Sequence, residues 1–572
     1  KTAYEIYQCD WSSDVCSSDL SRFKFMSNER NTVPMPPEAI TPRSSNYRRR
    51  TVIMTGPPHL LQACVSNGGR SLGTVRSTEY AKTDHSLNLA AQTDIGLFEL
   101  KGGYHFSPYE GFPNQYMDMT SNKSWFLNGH YAGLFDWGDL DVRAHYRDTD
   151  HRMNFLADKG GTASGGMPMN TQVHSAGYTV KVDILLGDAG TLRVGNEFQH
   201  KWLNDYWPPV AGSMMMGPNR FININGATRD RLGNFIEWEK SWARGLSLTA
   251  GLRNDQVWMN TGDVAPYGAG MMQMADVMAA TAFNAANRKK HDSNWGGALI
   301  MRYALSDMAE IELGYARKSR SPNIYERYSW GRGSMASRMI GWFGDGNGYV
   351  GNLALKPEKA DTISAALSLH GGGQDDWSVK IAPYYTHVDD YIDAVKLGDL
   401  TDMMGMATPF DQLQFANQKA EIYGVDISGA TPLRSVGGFG KARLTARASW
   451  LRGRNLTDHG PLYHQMPFNA VLGMEHRIGG LELRIDLNVV ADKDRVDPTR
   501  NELKIKGYAL IDVQMAYGWD RYRVTLGAAN LFDKAYYAPL GGQSLGDLRA
   551  TGVLRPVPGR GRSVNAVLSV GF

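Results

Sequence analysis

Residues 481–490 read LELRIDLNVV. Leu481, Leu483, Ile485, Leu487 and Val489 alternate with Glu482, Arg484, Asp486 and Asn488, so an extended chain would carry branched aliphatics on one face and charge on the other. A helix would scatter the same residues around its circumference, so the stretch is a strand with one apolar face. The C-terminal segment repeats the rhythm. Tyr522, Val524, Leu526 and Ala528 alternate with Arg523, Thr525, Gly527 and Ala529, and after a Gly/Pro-rich connection Val564, Ala566, Leu568, Val570 and Phe572 resume it. An apolar terminal strand in water would leave a sticky sheet edge, whereas a barrel closed in lipid leaves none.

Composition narrows the class. No run in the 572 residues reaches the ~18 apolar residues that a membrane helix needs. The net charge is only +3, with charges scattered along the chain, which gives no basic face for nucleic acid. The three cysteines, Cys9, Cys16 and Cys64, all lie near the N-terminus and leave the rest without a disulfide framework or zinc cluster.

Along the chain, residues 1–20 lack the basic start and apolar centre of a secretion signal and are read as a sequencing or assembly artefact. Residues 21–80, rich in Pro, Arg and Asn, are expected to be disordered or the remnant of another domain. From 81 to 572 two-sided segments recur, among them Phe98 to Tyr104, Phe126 to Leu134, Leu140 to Tyr146, Leu192 to Phe198, Leu246 to Leu252, Glu310 to Ala316, Ile363 to Leu369, Leu444 to Trp450 and Ala509 to Tyr517. About nineteen can be traced, against the even number expected of a single-chain bacterial barrel. Short turns (Leu186 to Gly190, Ser306 and Asp307, Gly371 to Asp375, Gly479 and Gly480, Trp519 and Asp520) fall on one side. Long connections (Thr149 to Gln172, Asp205 to Arg229, Met259 to His291, Lys318 to Glu358, Leu397 to Gln414, Phe532 to Arg560) fall on the other. The expected fold is all-β, a transmembrane antiparallel barrel of about 20–22 strands with long extracellular loops.

Asn530 to Tyr536 (NLFDKAY), followed by the terminal strand, resembles the closing region of TonB-dependent outer-membrane receptors. ARKSRSPNIYERY (Ala316 to Tyr328), GNLALKPEKADT (Gly351 to Thr362) and Gly424 in EIYGVDISG are similar to that family's mid-barrel strands and loops. The resemblance implies a 22-strand barrel in the outer membrane of a Gram-negative bacterium, with an internal plug and uptake driven by the inner-membrane TonB energy-coupling complex. It also implies that Phe572 is presented to the β-barrel assembly machinery. The family's plug and TonB box precede the barrel, and too few residues stand there for an intact plug. The plug is therefore expected to be largely absent, which keeps a passive porin-like barrel as an alternative.

Methionine is the unusual residue. Met167 and Met169, then Met214, Met215 and Met216, then Met271, Met272, Met274 and Met278, then Met403, Met404 and Met406 cluster in the expected long loops. Closely spaced thioethers form a soft ligand set that favours Cu(I) over hard cations, and His174, His291, His459, His464 and Met466 add imidazole and thioether. Adaptable loop filling is the other reading of the methionines. HRMNF (His151 to Phe155), MPM and WPPVAGSMMMGPN also resemble the copper-linked branch of the family, which implies copper as cargo. Trp202, Tyr206, Trp207, Arg220, Trp330, Arg338 and Trp342 leave room for a siderophore-iron or cobalamin receptor. No resident cofactor and no enzyme activity are expected. Gly542 to Gly546 matches a nucleophile elbow with no helix expected after it, and Gly346, Gly348 and Gly351 match a dinucleotide fingerprint by spacing alone and are read as turn glycines. Asp389 and Asp390 are expected at the wet interior or rim.

Overall fold

The computed structural model describes residues 64–571 except 156, 160, 162–165, 243–244, 342, 374–375, 402–405 and 434–439. A small hairpin, β1 (Cys64–Asn67) and β2 (Arg70–Thr74), comes first. The wall then begins with β3 (Tyr80–Thr93), β4 (Gly96–Glu110), β5 (Asp118–Phe135), β6 (Gly138–Asn154), β7 (Met169–Leu185), β8 (Thr191–Trp207), β9 (Phe221–Ser241), β10 (Leu246–Asn260), β11 (Lys290–Ser306) and β12 (Ala309–Arg320). A three-residue strand, β13 (Gly348–Val350), lies parallel to a later strand instead of entering this meander. The wall resumes with β14 (Glu358–His370), β15 (Ser378–Thr401), β16 (Ala407–Leu433), β17 (Lys441–Asn455), β18 (Asn469–Ile478), β19 (Leu481–Val490), β20 (Tyr508–Trp519), β21 (Tyr522–Ala529) and β22 (Ser563–Val570).

Each wall strand pairs antiparallel with the next, β12 with β14 included, and the order around the barrel brings β22 beside β3. The described wall thus has nineteen strands, which matches the nineteen traced segments and falls short of the 22 that the resemblance implied. Antiparallel succession through an odd number makes β3 and β22 run in the same direction. β3 is also the most open strand of the wall, with all but one of its residues exposed.

Register explains which face each residue takes. Leu487 opposes Leu472 and Ile485 opposes Met474, while Glu475 opposes Arg484 across the same two strands. Leu472 is half exposed on the lipid side, and Arg484 pairs on the lumen side with Glu475 at 3.2 Å and Asp486 at 2.7 Å. Apolar out and polar in is what a water-filled barrel in lipid requires. Exposed aromatics sit near the short turns (Trp137, Trp242, Trp519) and again towards the other end (Trp125, Trp258, Trp295, Tyr315, Tyr385), which gives two interfacial belts.

Turns between β5 and β6, β11 and β12, β18 and β19, and β20 and β21 are two residues long, and all the long connections emerge opposite them. The expected loop Leu397 to Gln414 is instead largely strand. β15 and β16 run 24 and 27 residues, far beyond the ~9–11 needed to cross a bilayer, so they continue as a paired hairpin above the membrane. Two further long connections, 456–468 and 491–507, join β17 to β18 and β19 to β20. The part of segment 21–80 that is described, from residue 64, is ordered. Gly68 donates its backbone N–H to the Asp533 carbonyl at 2.9 Å, Gly69 donates its own to the Asp533 carboxylate at 2.7 Å, and Ser66 Oγ donates to that carboxylate. Asp533, in the NLFDKAY motif, thereby ties the first hairpin to the last loop. Residues 1–20 and Phe572 lie outside the described residues.

The two faces of β19 and β20 make a direct test. Ile485→Arg, on the lipid side at mid-strand, is expected to cost about 2–4 kcal/mol. Gln514→Lys, on the lumen side of β20 opposite Arg484, should stay within about 1 kcal/mol. Urea unfolding in lipid vesicles reads both.

Candidate functional site at the barrel mouth

The long connections do not stand free. Their apolar side chains can face neither lipid nor water and bury one another in a single cluster over the open end of the barrel. At its centre Trp207 stacks on Phe221 at 4.1 Å and Phe221 on Trp330 at 4.7 Å, all three buried. The helix Ile324–Tyr328 starts with a capping box in which Asn323 and Glu326 each accept the other's backbone N–H at 2.8 Å. That fixes Tyr325, Arg327 and Tyr328 into the cluster. Asp276, on the helix Met274–Ala285, accepts N–H groups from Arg332 and Gly333 at 2.8 and 2.7 Å and joins two connections. Burial raises its carboxyl above the ordinary range.

Methionine fills this cluster. Met117, Met167, Met169, Met216, Met259 and Met339 are buried in it, with Met153, Met215 and Met335 packed against it. Met119, Met153 and Met169 are successive cross-strand partners on β5, β6 and β7, so three thioethers lie in one row on one face. His151, two residues before Met153, shares that face of β6. The described loop methionines that sequence reading grouped divide in two. Met167, Met169, Met215 and Met216 belong to the cluster, whereas Met214, Met271, Met272, Met274, Met278 and Met406 are exposed at the rim. Gln273 joins the two sets by donating to the backbone oxygens of Met214 and Met215 at 2.9 and 3.3 Å. Met403 and Met404 lie outside the described residues. Met117 and Met119, at the same spacing as Met167 and Met169, were overlooked, as were Met259, Met335 and Met339, and Met153 was noted only within HRMNF; strand register and loop folding assemble them.

The two selected histidines go elsewhere. His174 takes the face of β7 opposite Met169 and Val173, where its Nδ1 meets Asp148 at 2.6 Å and its ring lies 4.9 Å from Trp202. His464 belongs to a second cluster built on Arg500. That guanidinium is buried, donates to Asp345 and Asp393 at 2.9 Å each, and lies 4.4 Å from the Tyr463 ring and 5.2 Å from Phe343 and Tyr349. Asn347 extends the clamp by donating to the Thr499 carbonyl at 2.9 Å and accepting from Asn501 at 2.7 Å. Three connections and the end of β15 meet here. Burial, with Lys493 and Arg500 nearby, pushes His464 down to about 3, and burial, with the charge of Asp393, pushes Asp497 up to about 6. A neutral imidazole beside two cations is a poor place for a metal ion.

The aromatic set of the iron-chelate reading is mostly occupied. Trp207 and Trp330 are core, Arg220 lies 4.3 Å over Tyr206, Arg338 lies 5.6 Å over Tyr116, and Trp342 lies outside the described residues. Gly346 has φ +78, and a Cβ there would come within 2.2 Å of Phe410, so it serves a turn. Ser544 does precede a helix, Leu545–Thr551, contrary to expectation. It is fully buried and its Oγ accepts the Asp547 N–H at 3.3 Å, so it is a cap with no access to a substrate. Among the described residues no group of three His, Cys, Asp or Glu is arranged to hold a metal.

Residues 66–531 match the family described as TonB dependent receptor-like, beta-barrel, and the chain belongs to that family. No curated protein matches the sequence. Solved structures share the fold. "Copper transporter OprC" has a TM-score of 0.71 at 18% identity, over 89% of this chain and 74% of that one. "The FrpB iron transporter from Neisseria meningitidis (F3-3 variant)" gives 0.61 at 14%, over 90% and 75%. The "ferric citrate transporter FecA in the unliganded form" gives 0.63 at 12%, over 87% and 71%. Receptors of this family are transporters of the Gram-negative outer membrane, serve metal and siderophore uptake and work with the TonB–ExbB–ExbD complex.

Two outcomes test the Arg500 clamp. Arg500→Leu leaves Asp345 and Asp393 buried without their cation and should destabilise the joined loops by about 3–5 kcal/mol, seen as faster protease cleavage within 456–468 and 491–507. The pH dependence follows from sign. As pH falls from about 6.5 towards 3, an unfolded loop takes a proton that His464 in place refuses, so stability is lost. Asp497 acts oppositely, since its contribution is present at low pH and is lost as pH rises through about 6. In His464→Gln only the second slope remains, so the loops should be cleaved more slowly at pH 5 than at pH 7.

Proposed function

We propose that this barrel takes up copper, as Cu(I) or a copper complex, with the methionines of the mouth as its ligands. The observation that carries the reading is the convergence of thioethers from four connections and from the ends of β6, β7 and β10 on one apolar cluster, beside the Met119, Met153 and Met169 row with His151 on the same face. Soft sulfur favours copper over hard cations, and imidazole is compatible with copper; the carboxyl buried at the stack, Asp205, is already engaged by Trp207 and Asn223 at 3.0 and 2.7 Å. The exposed methionines Met214, Met271, Met272, Met274 and Met406 offer first contacts at the rim, and the buried ones offer deeper contacts. The name of one structural neighbour, a copper transporter, agrees with this cargo, while other neighbours are named for iron and ferric citrate. Energy coupling would reach this chain through a plug, and the assembly machinery would read its last strand; both belong to the proposal.

A siderophore-iron or cobalamin receptor is the second reading, favoured by the remaining aromatics at the mouth. A passive porin-like barrel is the third.

Cu(I), a ferric chelate and cobalamin should be titrated into the refolded chain. The Met153→Leu/Met169→Leu pair conserves volume and should cost the fold little. Loss of at least about tenfold in Cu(I) affinity, with no effect on the other two probes, is expected. Unchanged Cu(I) affinity in that pair, or tight binding of the ferric chelate alone, would remove copper as the cargo.

A further inference from the structure

A cleft of about 490 Å³ opens on the outer surface of the wall, where the extracellular ends of β12, β14, β15 and β16 meet the connection after β17. Arg317, Lys359 and Lys419 line it together with Asp389 and Asp390. Strand period and register put the cations outside the barrel. Arg317 follows Tyr315 by two residues, Lys359 precedes Ile363 by four, and Lys419 precedes Tyr423 by four. Tyr315 and Ile363 are 44% and 65% exposed on the lipid face, and Tyr385 beside them is 43% exposed. The cleft therefore lies just above the outer aromatic belt, at the depth of lipid headgroups. Tyr315 and Tyr385 mark that boundary, since their hydroxyls donate towards the polar side, to Asp361 at 2.7 Å and Glu421 at 3.2 Å.

The cleft is built. β15 bulges at Asp389 and Asp390, with Asp390 at φ +55, and its ladder with β16 resumes at Tyr391. Asn417 Nδ2 holds the bulge by donating to the Asp390 carbonyl at 2.7 Å, and Thr457 Oγ1 accepts the Lys419 N–H at 2.9 Å. The charges are nevertheless loosely matched. Arg317 stands 3.9 Å from Asp361, Lys359 3.9 Å from Asp390, and Lys419 3.7 Å from Asp389. Lumen pairs are close by comparison, with Arg302 and Glu312 at 2.6 Å and Arg253 and Asp255 at 2.7 Å. Three cations at headgroup depth, each short of hydrogen-bond contact with its carboxylate, offer donors to an incoming anion with more acceptor oxygens than a carboxylate.

We propose that this cleft seats the phosphate of a phosphorylated glycolipid headgroup from the outer leaflet, with Arg317, Lys359 and Lys419 as its ligands. Asp361, Asp389 and Asp390 balance the cations when the cleft is empty, and the phosphate takes their place as the partner of the cations. The site lies on the wall away from the cargo cluster, so it anchors the barrel in its leaflet and takes no part in uptake.

The full chain in detergent should be titrated with a bis-phosphorylated glycolipid, its dephosphorylated form and inorganic phosphate. The phosphorylated lipid should bind at least about tenfold more tightly than the other two, and Arg317→Gln/Lys359→Gln/Lys419→Gln should lose at least about tenfold. Heat-dependent electrophoretic mobility checks that the triple variant is folded. Equal binding of the dephosphorylated lipid, equal binding of inorganic phosphate, or full affinity in the folded triple variant each overturns the proposal. Asp389→Asn supplies a second arm that keeps all the cations. Removing the competing carboxylate should raise affinity for the phosphorylated lipid severalfold, and unchanged or lower affinity counts against the site.

Discussion

Hydrocarbon offers no partner to a backbone N–H or C=O, and the rest of this structure follows from that constraint. Every wall strand from β4 to β21 is paired on both edges. Once the backbone is satisfied by its neighbours, side chains alternate between lipid and lumen, and the two solvents select opposite residues. Leu487 against Leu472 and Arg484 against Glu475 are consequences of one register. The same constraint marks the seam: an odd count aligns β3 and β22 in one direction, and β3 is the strand least covered by the rest of the wall.

Above the membrane the connections must bury their own apolar groups, and they do so in two places of opposite character. One is a methionine-rich cluster around the Trp207, Phe221 and Trp330 stack, soft and adaptable. The other is the clamp of Arg500 between two carboxylates and three aromatic rings, rigid and charged. Tyr349 and Phe343 touch both, since they pack on Arg500 and also on Phe415 in the first cluster. The clamp thereby holds the lining of the mouth in place while leaving its sulfurs out of the Arg500 network; Met259 instead meets Arg327 at 3.3 Å.

Much of this was legible in the sequence because a strand in a barrel answers to a period of two that any ten residues display. The alternation at Leu481 to Val490 and at Tyr522 to Ala529 gave face and fold together, and the asymmetry of turns and loops gave orientation. The site was legible only where its residues are neighbours in the chain, as at Met167 and Met169 or Met214 to Met216. Met119 and Met153 each lie in a short stretch visible in the sequence, MDM and HRMNF, but their meeting does not, since it depends on a register shift in β5 and on its pairing with β6. In the sequence His174 reads as an imidazole for the mouth, but its odd separation from Met169 on one strand puts it on the other face. The long hairpin of β15 and β16 read as loop because above the membrane neither face is bathed in lipid and the alternation loses its contrast.

The sequence by itself determined the all-β class, the lipid and lumen faces, the side on which the long connections emerge and the family, because each is written in residues close together in the chain. Only the tertiary structure decided which methionines share a cluster, that His464 sits beside cations and His174 on the outer face, that Ser544 caps a helix, and that Arg317, Lys359 and Lys419 line one cleft. Those outcomes depend on cross-strand register and on loops distant in sequence burying one another, and no local pattern of residues encodes either.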